Sequence, residues 1–203
     1  MTTKNQRKIL IADDHQMIRM GLRFYFQRLE YLDIQEASRC SEIMNKLSQN
    51  SFTHCVLDLN LPDGTALEIL PNIKRLYPDL KVSVYSMQPA ETYRNALRRY
   101  GVAYYVSKST FENETMELFR KFLNDEPSPF DDQEDSDSPF AKLTTREMEV
   151  LHYLLQGKSV VQVADILNLS RTTVATHKGN ILEKTNTANF VELCELADLY
   201  NIE

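Results

Sequence analysis

The chain has 203 residues, 42% of them apolar, and a formal net charge of −6. That length allows two small domains or one larger one with a packed core. No apolar run approaches the ~20 residues that span a bilayer, and the polar start Met1–Lys8 lacks the apolar centre of a signal peptide, so a cytoplasmic protein with no membrane partner is expected. Cys40, Cys55 and Cys194 are odd in number, widely spaced and form no paired motif. They are expected to be inert thiols, without a disulfide frame or zinc. His15, His54, His152 and His177 are scattered and form no metal or triad pattern with the cysteines.

In chain order, strand-like runs near 8–12, 33–37, 54–58, 81–86 and 103–106 alternate with helix-like runs near 14–29, 41–48, 65–76, 91–100 and 112–123. The strands are short and apolar on successive residues, as in parallel strands buried on both faces. Five such βα units predict a doubly wound parallel sheet of flavodoxin-like type over residues 1–124. Pro78 and Gly101 punctuate helix ends. Residues 125–140 carry seven acids and no base, with interspersed Pro and Ser. This composition predicts an extended, self-repelling linker. The flanking segments carry +3 (1–124) and −2 (141–203).

Four short helical periods follow, predicting an all-α domain over 141–203. Thr144 with Glu147 three residues on forms a capping box, and the helix it starts should stop at Gly157. A second helix spans Val160 to Leu167, with Val163, Ala164 and Leu167 on one face. Ser170 caps a third helix reaching about Lys184, and a fourth runs from about Asn189 to Tyr200. Two short helices joined by a tight turn form a helix-turn-helix.

The strand ends carry the chemistry. The first strand closes on Asp13-Asp14 and the third on Asp58. Carboxyl ends of parallel strands line the ligand crevice, so three carboxylates converge there and repel unless a hard cation joins them. Oxygen ligands of this kind suit magnesium, which keeps waters and recruits phosphate oxygens. The fourth strand closes on the hydroxyl of Ser86 and the fifth on the ammonium of Lys108, both suited to phosphoryl oxygens. Asp58 is the natural phosphoryl acceptor, because a carboxylate can form an acyl phosphate.

These residues make the first three-fifths of the chain resemble the receiver domain of two-component response regulators. The resemblance implies that Asp58 is phosphorylated and that Asp13, Asp14, Asp58 and the main chain at Asn60 hold Mg2+. It implies switch roles for Ser86, Tyr105 and Lys108, and Pro62 fits the loop that follows. Ala66 stands where the family often has glycine. The tail resembles the LuxR-type helix-turn-helix of the NarL/FixJ group through Leu143-Thr144, Arg146-Glu147, Glu149-Val150-Leu151, Gly157, Ser159, Ala164, Leu167, Leu169-Ser170, Thr173-Val174, His177, Asn180-Ile181 and Lys184. In that group the third helix enters the major groove, which implies DNA contacts from Arg171, Thr172, Thr176, His177, Lys178 and Lys184. Ala175 replaces a usual basic residue, and Val160 and Val161 replace polar ones.

The resemblance implies a transcription factor whose partners are a sensor histidine kinase and promoter DNA, and which dimerises when phosphorylated. It implies no enzyme in the ordinary sense, but a phosphoryl acceptor that takes part in its own phosphorylation and dephosphorylation. The expected output surface is the helix 91–100, the strand around Tyr105 and the helix 111–123. An aspartyl-phosphate hydrolase would want a second aspartate at position 60, where this chain has Asn60. A protein adaptor with little DNA binding is the alternative suggested by the slightly acidic tail.

Overall fold

A computed structural model describes residues 7–127 and 138–202. The chain forms two compact units, one holding 7–87 and 97–127, the other 88–96 and 138–202. The first is built on β1 (Lys8–Ala12), β2 (Asp33–Ala37), β3 (His54–Leu57), β6 (Lys81–Ser86) and β7 (Val102–Ser107). They form a parallel sheet in the order β2-β1-β3-β6-β7. Counting only these five strands, this is the flavodoxin-like order. The helices α1 (Gln16–Arg28), α2 (Cys40–Gln49), α3 (Ala66–Leu76), α4 (Ala90–Arg99) and α5 (Glu112–Leu123) follow the five strands in turn. A two-stranded hairpin, β4 (Asn60–Leu61) with β5 (Gly64–Thr65), lies between β3 and α3 and was not anticipated.

Burial follows strand alternation. Ile9, Ile11, Val56, Tyr104 and Val106 share one core with Leu22 and Phe26 of α1 and Phe119, Phe122 and Leu123 of α5. Leu10 and Ala12 are also buried, on the opposite face of β1. Because both faces of the central strands are dry, only the strand ends can present polar groups to a ligand.

The far end of the sheet carries a polar cluster. His54, buried at the start of β3, sets its Nε2 3.0 Å from Asp125 Oδ1 and its Nδ1 3.0 Å from Thr53 Oγ1. Asp125 also pairs with Arg7 at 2.9 Å and Lys81 at 2.6 Å. Tyr104 donates to the carbonyls of Glu126 and Pro127. Residues 125–127, expected in a solvated linker, are therefore bonded to the folded unit. Residues 128–137 of that linker lie outside the described residues.

Burial lowers the His54 pKa to about 4, with Asp125 opposing the shift. The folded value lies below the ordinary ~6.5, so the unfolded chain takes up this proton first as pH falls. Stability from the neutral imidazole is complete above about pH 6.5 and is lost as pH falls toward 4. A loss on the order of 2 kcal/mol is expected across that window. Urea titrations of wild type and His54→Gln at pH 7.0 and 4.5 measure it. Equal pH slopes for the two proteins would refute the assignment.

The second unit contains, besides residues 88–96 with the start of α4, a 3-10 turn (Pro139–Lys142), α6 (Thr145–Leu155), α7 (Val160–Ile166), α8 (Arg171–Thr185) and α9 (Phe190–Leu199). Phe140, expected at the end of the linker, is fully buried. Its ring lies 5.8 Å from that of Tyr200, and Met148, Val150, Leu151, Val163, Val174, Ile181, Leu193 and Ala197 are also buried. The Thr144–Glu147 capping box starts α6, and a second, Ser159–Gln162, starts α7. Gly157 follows α6 at φ +77°, a left-handed conformation that an L side chain would strain. Ser170 caps α8 by accepting from the Thr173 N–H at 3.0 Å, and Asn189 caps α9 through the N–H groups of Val191 and Glu192.

Candidate functional site

Sheet register creates the site. Ala12 pairs with Leu57, so the next residues, Asp13 and Asp58, leave the sheet side by side. The main chain fixes both departures: the Asp58 N–H donates to the Ala12 carbonyl at 2.8 Å, and the Asp13 N–H to the Ala37 carbonyl at 3.1 Å. Ser86 pairs with Ser107, and the Lys108 N–H donates to the Ser86 carbonyl at 2.9 Å. Thus four strand ends deliver Asp13, Asp58, Ser86 and Lys108 to one rim.

The Lys108 ammonium joins two carboxylates there. It lies 2.6 Å from Asp58 Oδ2 and 2.8 Å from Asp13 Oδ2. Asp13 and Asp58 are 2% and 6% exposed. Burial pushes the Asp58 pKa above the ordinary carboxylate value, Lys108 pulls it down, Asp13 adds to the rise and a Ser86 hydrogen bond opposes it. For Lys108, burial works against the charge, but Asp58 and Asp13 outweigh it and the pKa rises. An anionic acceptor beside a firmly charged ammonium is the arrangement that stabilises charge developing on transferred oxygens.

Asp14 and His15 form the open side. Their ligand atoms, with those of Asp13 and Asp58, all lie within 4.8 Å of one another. Three carboxylates of this kind fit a hard divalent cation. His15 Nδ1 sits 2.7 Å from Asp14 Oδ1 and 3.3 Å from Asp13 Oδ1. His15, one of four histidines scattered along the sequence, directly follows the acidic pair, and that adjacency is the one local sign of its place here. Asn60 opens the β4–β5 hairpin, opposite Thr65. Tyr105 is buried in β7, opposite Val84.

Asp63 has a role that nothing local in the sequence marks. From the hairpin loop it accepts the Cys40 N–H at 2.7 Å, the Ser41 N–H at 3.0 Å and the Ser41 hydroxyl at 2.7 Å. It thereby supplies the N-terminal cap that Arg39, the residue at that position of α2, does not. The loop after Asp58 is tied to α2 in this way.

On α8, Arg171, Thr172, Ala175 and Thr176 are exposed and share one face by their spacing. His177 is half-buried, and Lys178 Nζ lies 4.6 Å from the centroid of the Phe190 ring. Lys184, expected to contact DNA, turns inward: its ammonium sits 2.6 Å from Glu147 Oε2, whose side chain is only 3% exposed.

Comparison with known proteins agrees with both units. A model described as "Response regulator receiver domain" matches residues 9–120, and one described as "Bacterial regulatory proteins, luxR family" matches residues 141–197. The chain is 25% identical over 201 residues to the response regulator UvrY of Escherichia coli strain K12, covering 93% of this chain and 92% of that protein. It is 29% identical over 203 residues to the response regulator GacA of Pseudomonas aeruginosa, covering 94% of each. A structure of RcsB from Salmonella enterica serovar Typhimurium, bound to promoter rprA in the presence of phosphomimetic BeF3−, shares the fold at a TM-score of 0.77. Identity to that structure is 22%, over 96% of this chain and 99% of that one. Among the described residues no helix is long and apolar enough to cross a membrane. The chain belongs to the response regulator family, as a transcription regulator that joins a receiver domain to a LuxR-type DNA-binding domain.

Proposed function

We propose that Asp58 accepts a phosphoryl group from a sensor histidine kinase and that this controls dimerisation and promoter binding by the C-terminal domain. The observation that carries the reading is the Lys108 ammonium held between Asp13 and Asp58. In the transfer, an Asp58 carboxylate oxygen bonds to phosphorus while the P–N bond to the donor imidazole breaks and the imidazole leaves. Lys108 balances charge on the moving oxygens. Asp13, Asp14 and Asp58, with the main chain at Asn60, would hold Mg2+, which supplies further charge neutralisation when bound. The phosphoryl group draws on the Ser86 hydroxyl, and Tyr105 repacks in response. The working division is a receiver, expected over 1–124 and reaching Pro127 through the Asp125 and Tyr104 contacts, a linker, and a DNA-binding domain, expected over 141–203 and anchored from Phe140, acting in the cytoplasm.

RcsB, a structural relative, is seen on promoter DNA, and two RcsB dimers are seen on two parallel DNAs. The face of α8 bearing Arg171, Thr172 and Thr176 is the proposed reading surface, with His177 and Lys178 beside it. With a domain charge of −2, few cations are available for phosphates. Affinity is therefore expected to be weak for a single domain and useful for a pair. Full-length protein saturated with Mg2+ and beryllofluoride, which stands in for the phosphoryl group, should self-associate and bind selected genomic fragments more tightly than untreated protein. Arg171→Ala should weaken that binding by about 1–3 kcal/mol if it reads a base edge. Light scattering and a fluorescence-anisotropy titration measure these effects. Failure of the treated protein to enrich any fragment at low salt would overturn the DNA reading in favour of a protein adaptor.

A further inference from the structure

We propose that Arg19 is the positioning residue of the acidic metal loop, an inference that rests on reading Asp13 and Asp14 as metal carboxylates. Arg19 lies on the first turn of α1 and points back at the strand end. Its Nη1 donates to the Asp13 carbonyl at 2.7 Å and to the Asp14 carbonyl at 3.1 Å. Its Nε donates to Glu36 Oε2 on β2 at 3.1 Å. Arg23, one turn on, holds the other oxygen of Glu36 at 2.5 Å and donates to the Ile34 carbonyl. Glu36 is thus clamped by two guanidinium groups, and its pKa stays below the ordinary value despite burial.

The geometry has a specific consequence. Asp13 and Asp14 sit between the end of β1 and the start of α1, where the chain belongs to neither ladder. Their N–H side is partly fixed, since the Asp13 N–H bonds to β2. Their carbonyls are fixed by Arg19. A guanidinium is planar and rigid, so its single Nη1, donating to two successive carbonyls while Nε is held by Glu36, ties down both peptide planes. Those planes determine where the two carboxylates point relative to Asp58. Arg19 touches neither the carboxylates nor the acceptor, and it acts only through the backbone.

Positioning and simple electrostatics predict opposite signs. Arg19 is a cation beside a cation site, so its removal should tighten divalent binding if charge alone matters. Loss of positioning should weaken it, by about tenfold, as for other groups that orient metal ligands. The experiment titrates the full-length chain with Mn2+, followed by electron paramagnetic resonance of the free ion, with thermal melts recorded in parallel. Arg19→Ala should bind Mn2+ about tenfold more weakly than wild type. Glu36→Gln, which leaves Arg19 in place but loosens it, should shift affinity in the same direction by less. Arg23→Ala disturbs the same ion-pair cluster without touching the loop and should leave affinity within about twofold, against that tenfold. Equal or tighter binding by Arg19→Ala, or equal weakening by Arg23→Ala, overturns the proposal. Asp14→Asn tests the underlying reading separately: if it binds Mn2+ as well as wild type, the assignment of the acidic pair fails, whatever Arg19 does.

Discussion

Asp58→Asn is expected to abolish phosphoryl uptake. Incubated with acetyl phosphate and Mg2+, the wild type should gain a single phosphoryl mass that survives acid and is lost in base, as an acyl phosphate is. The variant should gain none. The amide has the shape of the carboxylate but no anionic oxygen to attack phosphorus. Nor should its loss come from unfolding. Burial raises the Asp58 pKa, so the ionised form is less favourable in the folded chain than in the unfolded one. Removing that charge is therefore expected to leave stability unchanged or raise it slightly. Lys108 keeps Asp13 as its partner at 2.8 Å in the variant. Chelation of Mg2+ should also prevent labelling of the wild type. Intact-mass spectra showing full labelling of Asp58→Asn would refute the acceptor assignment.

The strand ends were legible because a parallel strand buried on both faces announces itself as a short apolar run. The first polar residue after such a run is then a rim residue. Asp13 and Asp58 follow that rule directly, Ser86 ends its strand after the buried Ser83, and Lys108 comes one place after Ser107; alternation with helices makes the sheet parallel. The rest depended on pairings with no local trace. The β4–β5 hairpin is only two residues per strand, too short to show a period. Asp63 caps a helix that starts 23 residues earlier in the chain. Asp125 sits in a segment whose composition reads as solvated, yet its partner His54 lies 71 residues away. Arg19 and Glu36, 17 residues apart, look like an ordinary helix arginine and an ordinary strand acid. Lys184 looked like one more cation on a basic helix until the fold placed Glu147 beneath it.

That last pairing sets the remaining large expectation: Lys184→Ala should destabilise the C-terminal unit, and any loss of DNA binding should follow from that. Glu147 accepts the Thr144 N–H at 2.7 Å, the Thr144 hydroxyl at 3.0 Å and the Lys184 ammonium at 2.6 Å. Burial raises its pKa, but these three partners more than offset the rise and hold it below the ordinary carboxylate value. In the wild type this stability is present above about pH 4.3 and is lost as pH falls through the lower folded value. Without Lys184 the carboxylate stays buried with no cation beside it. Breaking a buried pair by deleting one partner costs roughly 3–5 kcal/mol. Because the lysine side chain is 35% exposed, solvent screens part of the pair, and a loss of about 1–2 kcal/mol is expected. The variant is weakest relative to wild type at neutral pH, and the gap narrows as Glu147 becomes protonated in mild acid. Adding Glu147→Gln to the variant should recover part of the loss at pH 7. Urea titrations of the single and double variants at pH 7 and pH 5 measure each of these effects. An unchanged unfolding midpoint for Lys184→Ala, with a DNA salt slope shallower by about one phosphate, would instead make Lys184 a DNA contact.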